Sequence, residues 1–283
     1  MSLLEIKGLT TEFKTDQGIV KAVRGVDYHV EKGEVLGIVG ESGSGKSQGM
    51  LSLMGLLAGN GKVTSGSITF DGKDLSPNHY TDKKAKKQYE KMLQDIRGNE
   101  ISMIFQDPMS YLNPIVTIEK QMCEGILYHT KCTKKEARAR AVELMKMVGI
   151  PAPESRLKQY PFEFSGGMRQ RIIIAIALAN NPKLLICDEP TTALDVTVQA
   201  QILDLIKDLT KKMDTGVILI THDLGVVASL CDRISIMYGG NIMEEGTVNE
   251  IFYEAKHPYT KGLLQSIANS QVDHKIPLKP IPG

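Results

Sequence analysis

The feature that most constrains this chain is a glycine-rich segment directly after a short apolar run. Residues 40–47 read GESGSGKS and follow the apolar residues 35–39. A strand that runs into such a turn and then into a helix directs backbone N–H groups and a helix N-terminus at one point, where phosphate binds. A Gly-Ser turn that merely caps a helix is the alternative, and the preceding strand argues against it. The segment therefore predicts a site for a nucleoside triphosphate.

The residue types of this phosphate loop match that role. Glycine at positions 40, 43 and 45 lets the backbone curl around phosphate without a Cβ clash. Lys46 can reach the β- and γ-phosphates, and the Ser47 hydroxyl can bind Mg²⁺. The candidate nucleotide-binding residues of the loop are Gly40, Ser42, Gly43, Ser44, Gly45, Lys46, Ser47 and Gln48.

Composition limits the remaining possibilities. The 283 residues allow one large α/β domain with an inserted or appended part, and the net charge of +1 gives no reason to expect a nucleic-acid partner. The four cysteines form no C-x-x-C pair, which argues against a zinc or redox site and fits a reducing cytoplasm. The longest strongly apolar stretch, 172–179, is far too short to cross a bilayer. Any membrane role is therefore expected to be that of a peripheral subunit.

Apolar strands alternate with helical patterns along most of the chain. Residues 3–30 read as an antiparallel hairpin broken at 16–18, and later apolar runs alternate with helices, which predicts a largely parallel sheet. We expect a helix over 46–57 and a basic helix capped by Thr81, whose lysines form a solvated face. Thr133 and Glu136 form a predicted capping box in a stretch that is helical throughout. The pattern predicts an α/β fold with a helical insertion.

A second acidic element follows a downstream strand. The apolar residues 184–187 lead into Asp188 and Glu189, which places two carboxylates at the end of a buried parallel strand. Asp188 is suited to hold Mg²⁺, and Glu189 to polarise the water that attacks the γ-phosphate. Alone, the pair could be an ordinary strand-end turn, but the phosphate loop favours the nucleotide interpretation.

A serine and two glycines precede a further helix. Ser165, Gly166 and Gly167 form a second anion-ready site at a helix N-terminus. By itself this triplet is more often a flexible turn. Because one phosphate loop does not need two such sites, the simplest explanation is that the second one serves a nucleotide held by another subunit.

These elements occur in the same order in ATP-binding cassette (ABC) ATPases, which the chain resembles over about residues 3–250. The elements here are the phosphate loop, Gln106, residues 165–167, four apolar residues followed by Asp-Glu at 184–189, Ala-Leu-Asp at 193–195 and Thr-His-Asp at 221–223. The resemblance implies a RecA-like P-loop core with an N-terminal antiparallel β-subdomain and an inserted α-helical subdomain. It also implies an ATPase domain over 1–254, an insertion at about 107–164, and a C-terminal extension over 255–283.

The resemblance also assigns roles to the matching positions. Gln106 contacts Mg²⁺ and the attacking water, so that Ser47, Gln106 and Asp188 hold the metal. His222 contacts the γ-phosphate and supports the water bound to Glu189. Ser165 and Gly167 hold the partner's γ-phosphate, and Asp195 communicates across the dimer. An aromatic of the first hairpin stacks on adenine, with Phe13 the best-placed candidate, a core Phe the alternative, and Tyr28 the fallback.

A finer resemblance points to the dipeptide/oligopeptide/nickel importer branch. Its marks include Phe105-Gln-Asp-Pro-Met109, Ser165-Gly-Gly-Met-Arg-Gln-Arg171 and, most distinctively, His257-Pro-Tyr-Thr260. That branch commonly continues into a cysteine-bearing extension. Because this chain stops at Gly283, we expect that extension to be truncated, and no iron–sulfur cluster can be inferred. Dipeptides, longer peptides and nickel chelates stay open as cargo, with peptides favoured.

The resemblance implies an importer subunit at the cytoplasmic face of the membrane. Two cassettes, identical or paralogous, are expected to meet head to tail with ATP and Mg²⁺ between them. Two membrane permease subunits are the direct partners, an extracellular substrate-binding protein is an indirect one, and no nucleic acid is involved. One alternative is a soluble ATPase that acts in DNA repair or on ribosomes, but such proteins usually carry tandem cassettes, coiled coils or zinc modules. The other is a non-hydrolytic regulatory subunit, and the presence of Glu189 and His222 argues against it.

Overall fold

A computed structural model describes residues 2–106, 111–192 and 194–268. Three predicted features therefore lie wholly or partly outside the described residues: Asp107–Met109, Ala193 and the extension beyond 268. The described residues form two compact units. The phosphate-loop unit comprises residues 4–30, 34–79 and 219–268, and the helical unit comprises residues 2–3, 31–33 and the described part of 80–218.

The elements alternate as the sequence predicts. The strands are β1 (Leu4–Thr15), β2 (Gly18–Val30), β3 (Val35–Val39), β4 (Gly61–Phe70), β5 (Lys73–Asp74), β6 (Ile101–Ile104), β7 (Leu184–Asp188), β8 (Gly216–Thr221), β9 (Arg233–Tyr238) and β10 (Asn241–Thr247). The helices are α1 (Lys46–Leu53), α2 (Lys83–Ile96), α3 (Ile118–His129), α4 (Lys134–Met147), α5 (Pro153–Arg156), α6 (Gly166–Ala177), α7 (Val196–Met213), α8 (Leu224–Leu230), α9 (Val248–Tyr253) and α10 (Pro258–Ala268).

The phosphate-loop unit contains the predicted N-terminal hairpin. In its antiparallel sheet the strand order is β2-β1-β4-β5, and Leu4 of β1 pairs with Val30 of β2 and with Phe70 of β4. These three side chains are completely buried. The hairpin turns between Thr15 and Gly18, which confirms the predicted break.

Parallel pairing in the same unit positions the phosphate loop. The order there is β10-β9-β3-β8, and β3 pairs in parallel with β9, so that Leu36 lies opposite Arg233. The chain leaves β3 at Val39 and enters α1 at Lys46. Helix α1 ends at Leu53, four residues before the predicted end, because Gly55 adopts a left-handed conformation with φ 60°.

The helical unit contains the strand that carries the acidic pair. Its strands β6 and β7 are adjacent and parallel, with Ile101 opposite Leu184. Helix α2 begins after Asp82, whose carboxylate accepts from the N–H groups of Lys84 and Ala85. The predicted cap, Thr81, was therefore wrong by one residue, because the carboxylate is the better acceptor at this position.

Helices α3 to α5 form the predicted helical stretch, and α6 is the helix predicted after the serine and two glycines. The capping box at the start of α4 is present: Thr133 and Glu136 exchange hydrogen bonds. No helix in the described residues is both long and apolar enough to cross a membrane.

Candidate functional site

The phosphate loop needs two of its glycines because other backbone segments lie against it. A Cβ on Gly40 would lie 2.1 Å from the Met237 carbonyl oxygen, and one on Gly45 would lie 2.2 Å from the Ala22 carbonyl oxygen. Gly43 has φ 80° and open space around its Cβ position. The loop is therefore packed against backbone at Gly40 and Gly45 and has open space at Gly43.

The polar groups of the loop converge as an anion site requires. Helix α1 begins after Gly45, and no side-chain hydrogen bond caps this N-terminus, the end of a helix that attracts an anion. The buried Lys46 ammonium donates to the carbonyl oxygens of Gly40 and Glu41, both at 2.7 Å. Ser44 is buried, whereas Ser42 is exposed and Ser47 and Gln48 are half-buried. The Lys46 charge and the helix N-terminus are features that suit a loop to bind an anion such as phosphate.

The structure separates the two candidates for adenine stacking. Phe13 is half-buried on β1 and its ring lies 2.5 Å from the position of a Cβ on Gly61. Tyr28 is only 2% exposed, and its hydroxyl donates to the Met237 sulfur. Burial and the negative charge of Glu245 also raise the pKa of Tyr28 above its ordinary value. Tyr28 has no free face for a base, so the fallback prediction was wrong, and Phe13 stays the candidate.

His222 lies in the phosphate-loop unit at the end of β8. The histidine is exposed, and the next residue, Asp223, begins α8 by accepting from the N–H of Gly225 at 2.8 Å. Asp223 in turn donates its own N–H to the Thr221 hydroxyl at 3.0 Å. Local hydrogen bonds thus hold the residues on both sides of His222 at the end of β8.

In the helical unit, the structure brings Gln106 and Glu189 together. The Gln106 side-chain amide donates to the Glu189 carboxylate at 3.1 Å, across 83 positions of sequence. The Thr192 hydroxyl donates to the same carboxylate oxygen, also at 3.1 Å. Glu189 has φ 46°, a left-handed conformation that costs energy for a residue with a Cβ. Such strain at a predicted catalytic carboxylate is typical of functional sites.

Asp188 supplies the other carboxylate of this strand end. It is the last residue of β7 and is only 4% exposed. The predicted metal ligands are a hydroxyl, an amide oxygen and a carboxylate, from Ser47, Gln106 and Asp188. These are hard oxygen donors of the kind that Mg²⁺ prefers. A set of only three protein ligands also suits this metal, because Mg²⁺ keeps waters and phosphate oxygens in its coordination shell.

The serine–diglycine segment caps a helix in the helical unit. Ser165 is the N-cap of α6 and accepts from the N–H of Met168 at 3.4 Å. A Cβ on Gly167 would lie 2.9 Å from Val198 on α7, so this glycine allows close helix packing. Gly166 is also part of α6, and the exposed Asp195 caps α7 by accepting from the Val198 N–H at 2.9 Å.

Two residues at this site escaped the sequence analysis. Thr192 was not predicted to hold Glu189, and Gln170 was not predicted to act at all. The buried Gln170 amide donates to the Pro190 carbonyl, directly after Glu189. A glutamine in α6 two residues before the apolar residues 172–177 was the available signal, because a buried amide needs a partner.

Comparisons with known proteins agree with this geometry. A family model described as "ABC transporter" matches residues 23–192, and one described as "Oligopeptide/dipeptide transporter, C-terminal region" matches residues 243–283. The chain is 56% identical over 282 residues to the oligopeptide transport ATP-binding protein OppD of Bacillus subtilis, covering 99% of this chain and 76% of that protein. It is 51% identical over 284 residues to the dipeptide transport ATP-binding protein DppD of Lactococcus lactis, covering 99% and 78%.

Solved structures confirm the fold class. The dimeric, post-hydrolysis ATP-binding cassette MJ0796 bound to ADP and Pi superposes with a TM-score of 0.72 at 28% identity, covering 87% of this chain and 98% of that one. CbiO1 of Clostridium perfringens gives 0.71 at 26% identity, covering 96% of each chain. One assignment follows from two observations. A family model matches 170 residues (23–192), and the identity to the relatives extends over nearly the full length of the chain. The chain belongs to the ABC transporter family, among its ATP-binding proteins that carry the oligopeptide/dipeptide transporter C-terminal region.

Proposed function

We propose that this chain binds and hydrolyses ATP to energise the import of dipeptides or oligopeptides through membrane permease partners. One observation carries the hydrolytic part of the proposal. A strained glutamate at the end of β7 receives hydrogen bonds from Gln106 and Thr192, in a chain that also has a complete phosphate loop. A carboxylate held in this way can accept a proton from water.

The cargo follows from the relatives. Those named above are oligopeptide and dipeptide transport ATP-binding proteins, and the C-terminal match covers residues 243–283. Peptides are therefore the proposed cargo class. Their length stays open, because other polypeptides of the transporter would select the cargo.

Nucleotide binding is assigned to the phosphate-loop unit. The backbone of residues 40–47, the Lys46 ammonium and the side chains of Ser42, Ser44, Ser47 and Gln48 would contact phosphates, and Phe13 would stack on adenine. The cradle supports this role because Gly40 and Gly45 bring the loop against neighbouring carbonyl groups while Gly43 stays open.

Hydrolysis is assigned to three side chains and a metal. Glu189 would take the proton of the attacking water, Gln106 would orient that water, and His222 would contact the γ-phosphate. Ser47, Gln106 and Asp188 would hold Mg²⁺, which when bound neutralises phosphate charge. The hydrogen bond from Gln106 to Glu189 supports the pairing of the first two roles.

Two copies of this architecture are proposed to act together. Ser165, Gly166 and Gly167 would bind the γ-phosphate held by the partner cassette, and Asp195 would transmit the state of one site to the other. ATP drives closure only through its higher affinity for the closed pair. The MJ0796 cassette bound to ADP and Pi is a dimer, which supports the same arrangement here. The proposed location is the cytoplasmic face of the membrane, with two permeases as direct partners.

The proposed domain limits follow the same division of labour. Residues 1–254 would form the ATPase domain with a helical insertion at about 107–164, and residues 255–283 the C-terminal extension. The insertion and the segment after Gln106 would transmit closure to the permeases.

The experiment is reconstitution of the transporter. The tagged chain is purified from solubilised membranes, the co-purifying proteins are identified, and the complex is placed in liposomes with labelled dipeptide, pentapeptide or Ni²⁺. We expect Mg²⁺-dependent ATP hydrolysis and peptide accumulation that both disappear in Glu189→Gln. Hydrolysis without any permease in the purified material would favour a soluble ATPase, and nucleotide binding without phosphate release would favour a regulator.

A further inference from the structure

The segment His257-Pro-Tyr-Thr260 is held firmly in the phosphate-loop unit. The Glu244 carboxylate on β10 accepts from the N–H groups of Lys256 at 2.7 Å and His257 at 3.1 Å. The N–H of Tyr259 donates to the His257 ring nitrogen at 3.2 Å. Tyr259 and Thr260 are 7% and 1% exposed. The start of α10 is thus fixed onto β10, and its Tyr259 and Thr260 side chains are buried.

Tyr259 contacts the end of the strand that supports the phosphate loop. Its ring lies 4.7 Å, centroid to centroid, from that of Tyr238, the last residue of β9. The Tyr259 hydroxyl is buried and makes no regular hydrogen bond within the described structure. Burial and then the negative charge of Glu41 raise the pKa of Tyr259, while the Glu41 backbone amide opposes that rise. Glu41 is the second residue of the phosphate loop, so a charge that shifts this pKa belongs to the loop.

The strand end and its turn contact the phosphate loop directly. The N–H of Gly240, two residues after Tyr238, donates to the Ser44 carbonyl at 3.0 Å. The Met237 carbonyl oxygen lies 2.1 Å from the position that a Cβ on Gly40 would take. A displacement of the end of β9 would therefore move the phosphate loop at two points, Gly40 and Ser44.

We propose that Tyr259 is a positioning residue for the phosphate loop, and that it couples docking of the C-terminal helix α10 to nucleotide binding. The inference goes beyond the proposed function, since it gives a task to a segment that transport and hydrolysis leave without one. It rests on nucleotide binding by the phosphate loop and not on the identity of the cargo.

The coupling works in both directions. If docked α10 stabilises the loop geometry that binds phosphate, then bound nucleotide must stabilise docked α10 by the same free energy. A residue with a merely structural role would lower the stability of the unit without linking these two events. The reciprocal measurement therefore separates the two cases.

The test compares Tyr259→Ala with a matched control, Tyr253→Ala. Tyr253 belongs to the neighbouring helix α9 and is 85% exposed. For Tyr259→Ala we expect the dissociation constant of ATP to rise by about fivefold or more, the lower end of typical coupling between sites. Tyr253→Ala should bind ATP as the unchanged protein does. Tyr259→Phe keeps the ring contact with Tyr238 and should restore most of the affinity.

Hydrogen exchange supplies the second readout, in the purified full chain. In the unchanged protein, ATP should slow backbone exchange in residues 256–266, and this protection should be absent in Lys46→Ala and reduced in Tyr259→Ala. If Tyr259→Ala fails to fold, the inference is still tested by comparing the ATP-dependent protection of residues 256–266 in the unchanged protein and in Lys46→Ala. Nucleotide binding without added protection of 256–266 would overturn the inference, as would equal affinities for the folded Tyr259→Ala and Tyr253→Ala proteins. Absence of ATP binding by the unchanged protein would instead contradict the proposed function.

Discussion

The phosphate loop and the end of β7 serve the same predicted reaction, but they are built in different ways. The loop obtains its shape from glycines that lie within six positions of one another, each required by a nearby carbonyl or by a left-handed φ. The end of β7 obtains its shape from side chains far away in sequence: Gln106 reaches Glu189 across 83 positions and Gln170 reaches Pro190 across 20. A site whose shape depends on neighbouring residues can be recognised from a short sequence motif. A site whose shape depends on contacts between residues far apart in sequence cannot.

The largest effect is expected at the end of β7. Glu189→Gln keeps the side-chain shape and removes the base, so turnover should fall by about 10²–10⁴-fold, the usual contribution of general base catalysis. ATP affinity should stay within about twofold of that of the unchanged protein, because binding of ATP before the reaction does not depend on this proton transfer. Phosphate release and equilibrium nucleotide titration measure the two quantities. Glu143→Gln, an exposed residue of α4, is the control. Near-normal hydrolysis by Glu189→Gln would remove the glutamate from its assigned role.

The next effect tests whether the glycines of the loop have unequal tasks. Gly40→Ala would place a methyl group 2.1 Å from the Met237 carbonyl, and backbone cannot move aside as a flexible side chain can. We expect ATP affinity to fall by about tenfold or more, equivalent to at least about 1.4 kcal/mol, with a lower melting temperature without nucleotide. Gly43→Ala has open space and should mainly incur the cost of its left-handed φ, about 1–2 kcal/mol.

Gly59→Ala is the matched control in the same unit. Its Cβ would meet nothing within 4 Å, and its φ lies outside the left-handed range. It should melt like the unchanged protein. An equal loss of stability in Gly40→Ala and Gly59→Ala would show that the close approach to Met237 does not constrain the loop.

The same contrast explains what the sequence could predict. The hairpin, the parallel strands and the Thr133 capping box follow local patterns, and the structure confirms them. The sequence did not predict that α1 ends before Gly55 or that Asp82 rather than Thr81 begins α2. At a helix end, starting or stopping at adjacent residues differs little in energy, so such limits are hard to predict. The strand-end carboxylates together with the phosphate loop predicted the role of Glu189, and resemblance to a family predicted that of Gln106. Their hydrogen bond, and the part of Gln170, depend on packing between elements that no local pattern reveals.

An intermediate effect is expected from Gln170→Leu. The change removes the amide that donates to the Pro190 carbonyl, and an unsatisfied buried group of this kind costs about 1–3 kcal/mol. Because Pro190 follows Glu189, turnover should fall about tenfold, while ATP affinity changes less. Gln88→Leu, at an exposed position of α2, is the control for the loss of a glutamine. A fall in stability alone, with turnover unchanged, would limit Gln170 to a structural task.

A smaller effect is expected from Thr192→Val, which is nearly isosteric. It removes the hydroxyl that donates to Glu189 at 3.1 Å and leaves the Gln106 hydrogen bond in place. A single hydrogen bond contributes about 1 kcal/mol, so turnover should fall by about two- to fivefold. Thr197→Val, at an exposed position of α7, should have no such effect. If both variants hydrolyse ATP equally, Gln106 alone positions the glutamate.

The smallest effect brings the comparison to a third region, the start of α10, where support is again non-local. Burial alone would raise the pKa of Glu244, but the Thr260 hydroxyl and the hydrogen bonds from the Lys256 and His257 backbones outweigh it and hold the pKa below its ordinary 4.5. A depressed pKa in the folded state means stability that is present above pH 4.5 and is lost as the pH falls through the lower, folded value. Glu244→Gln should therefore lower the melting temperature by about 2–4 °C at pH 7, the shift that 1 kcal/mol produces in a chain of this size. The deficit should shrink below pH 4.5, whereas Glu254→Gln, exposed on the same surface, should show neither change. A deficit independent of pH would mean that shape rather than charge holds α10 in place.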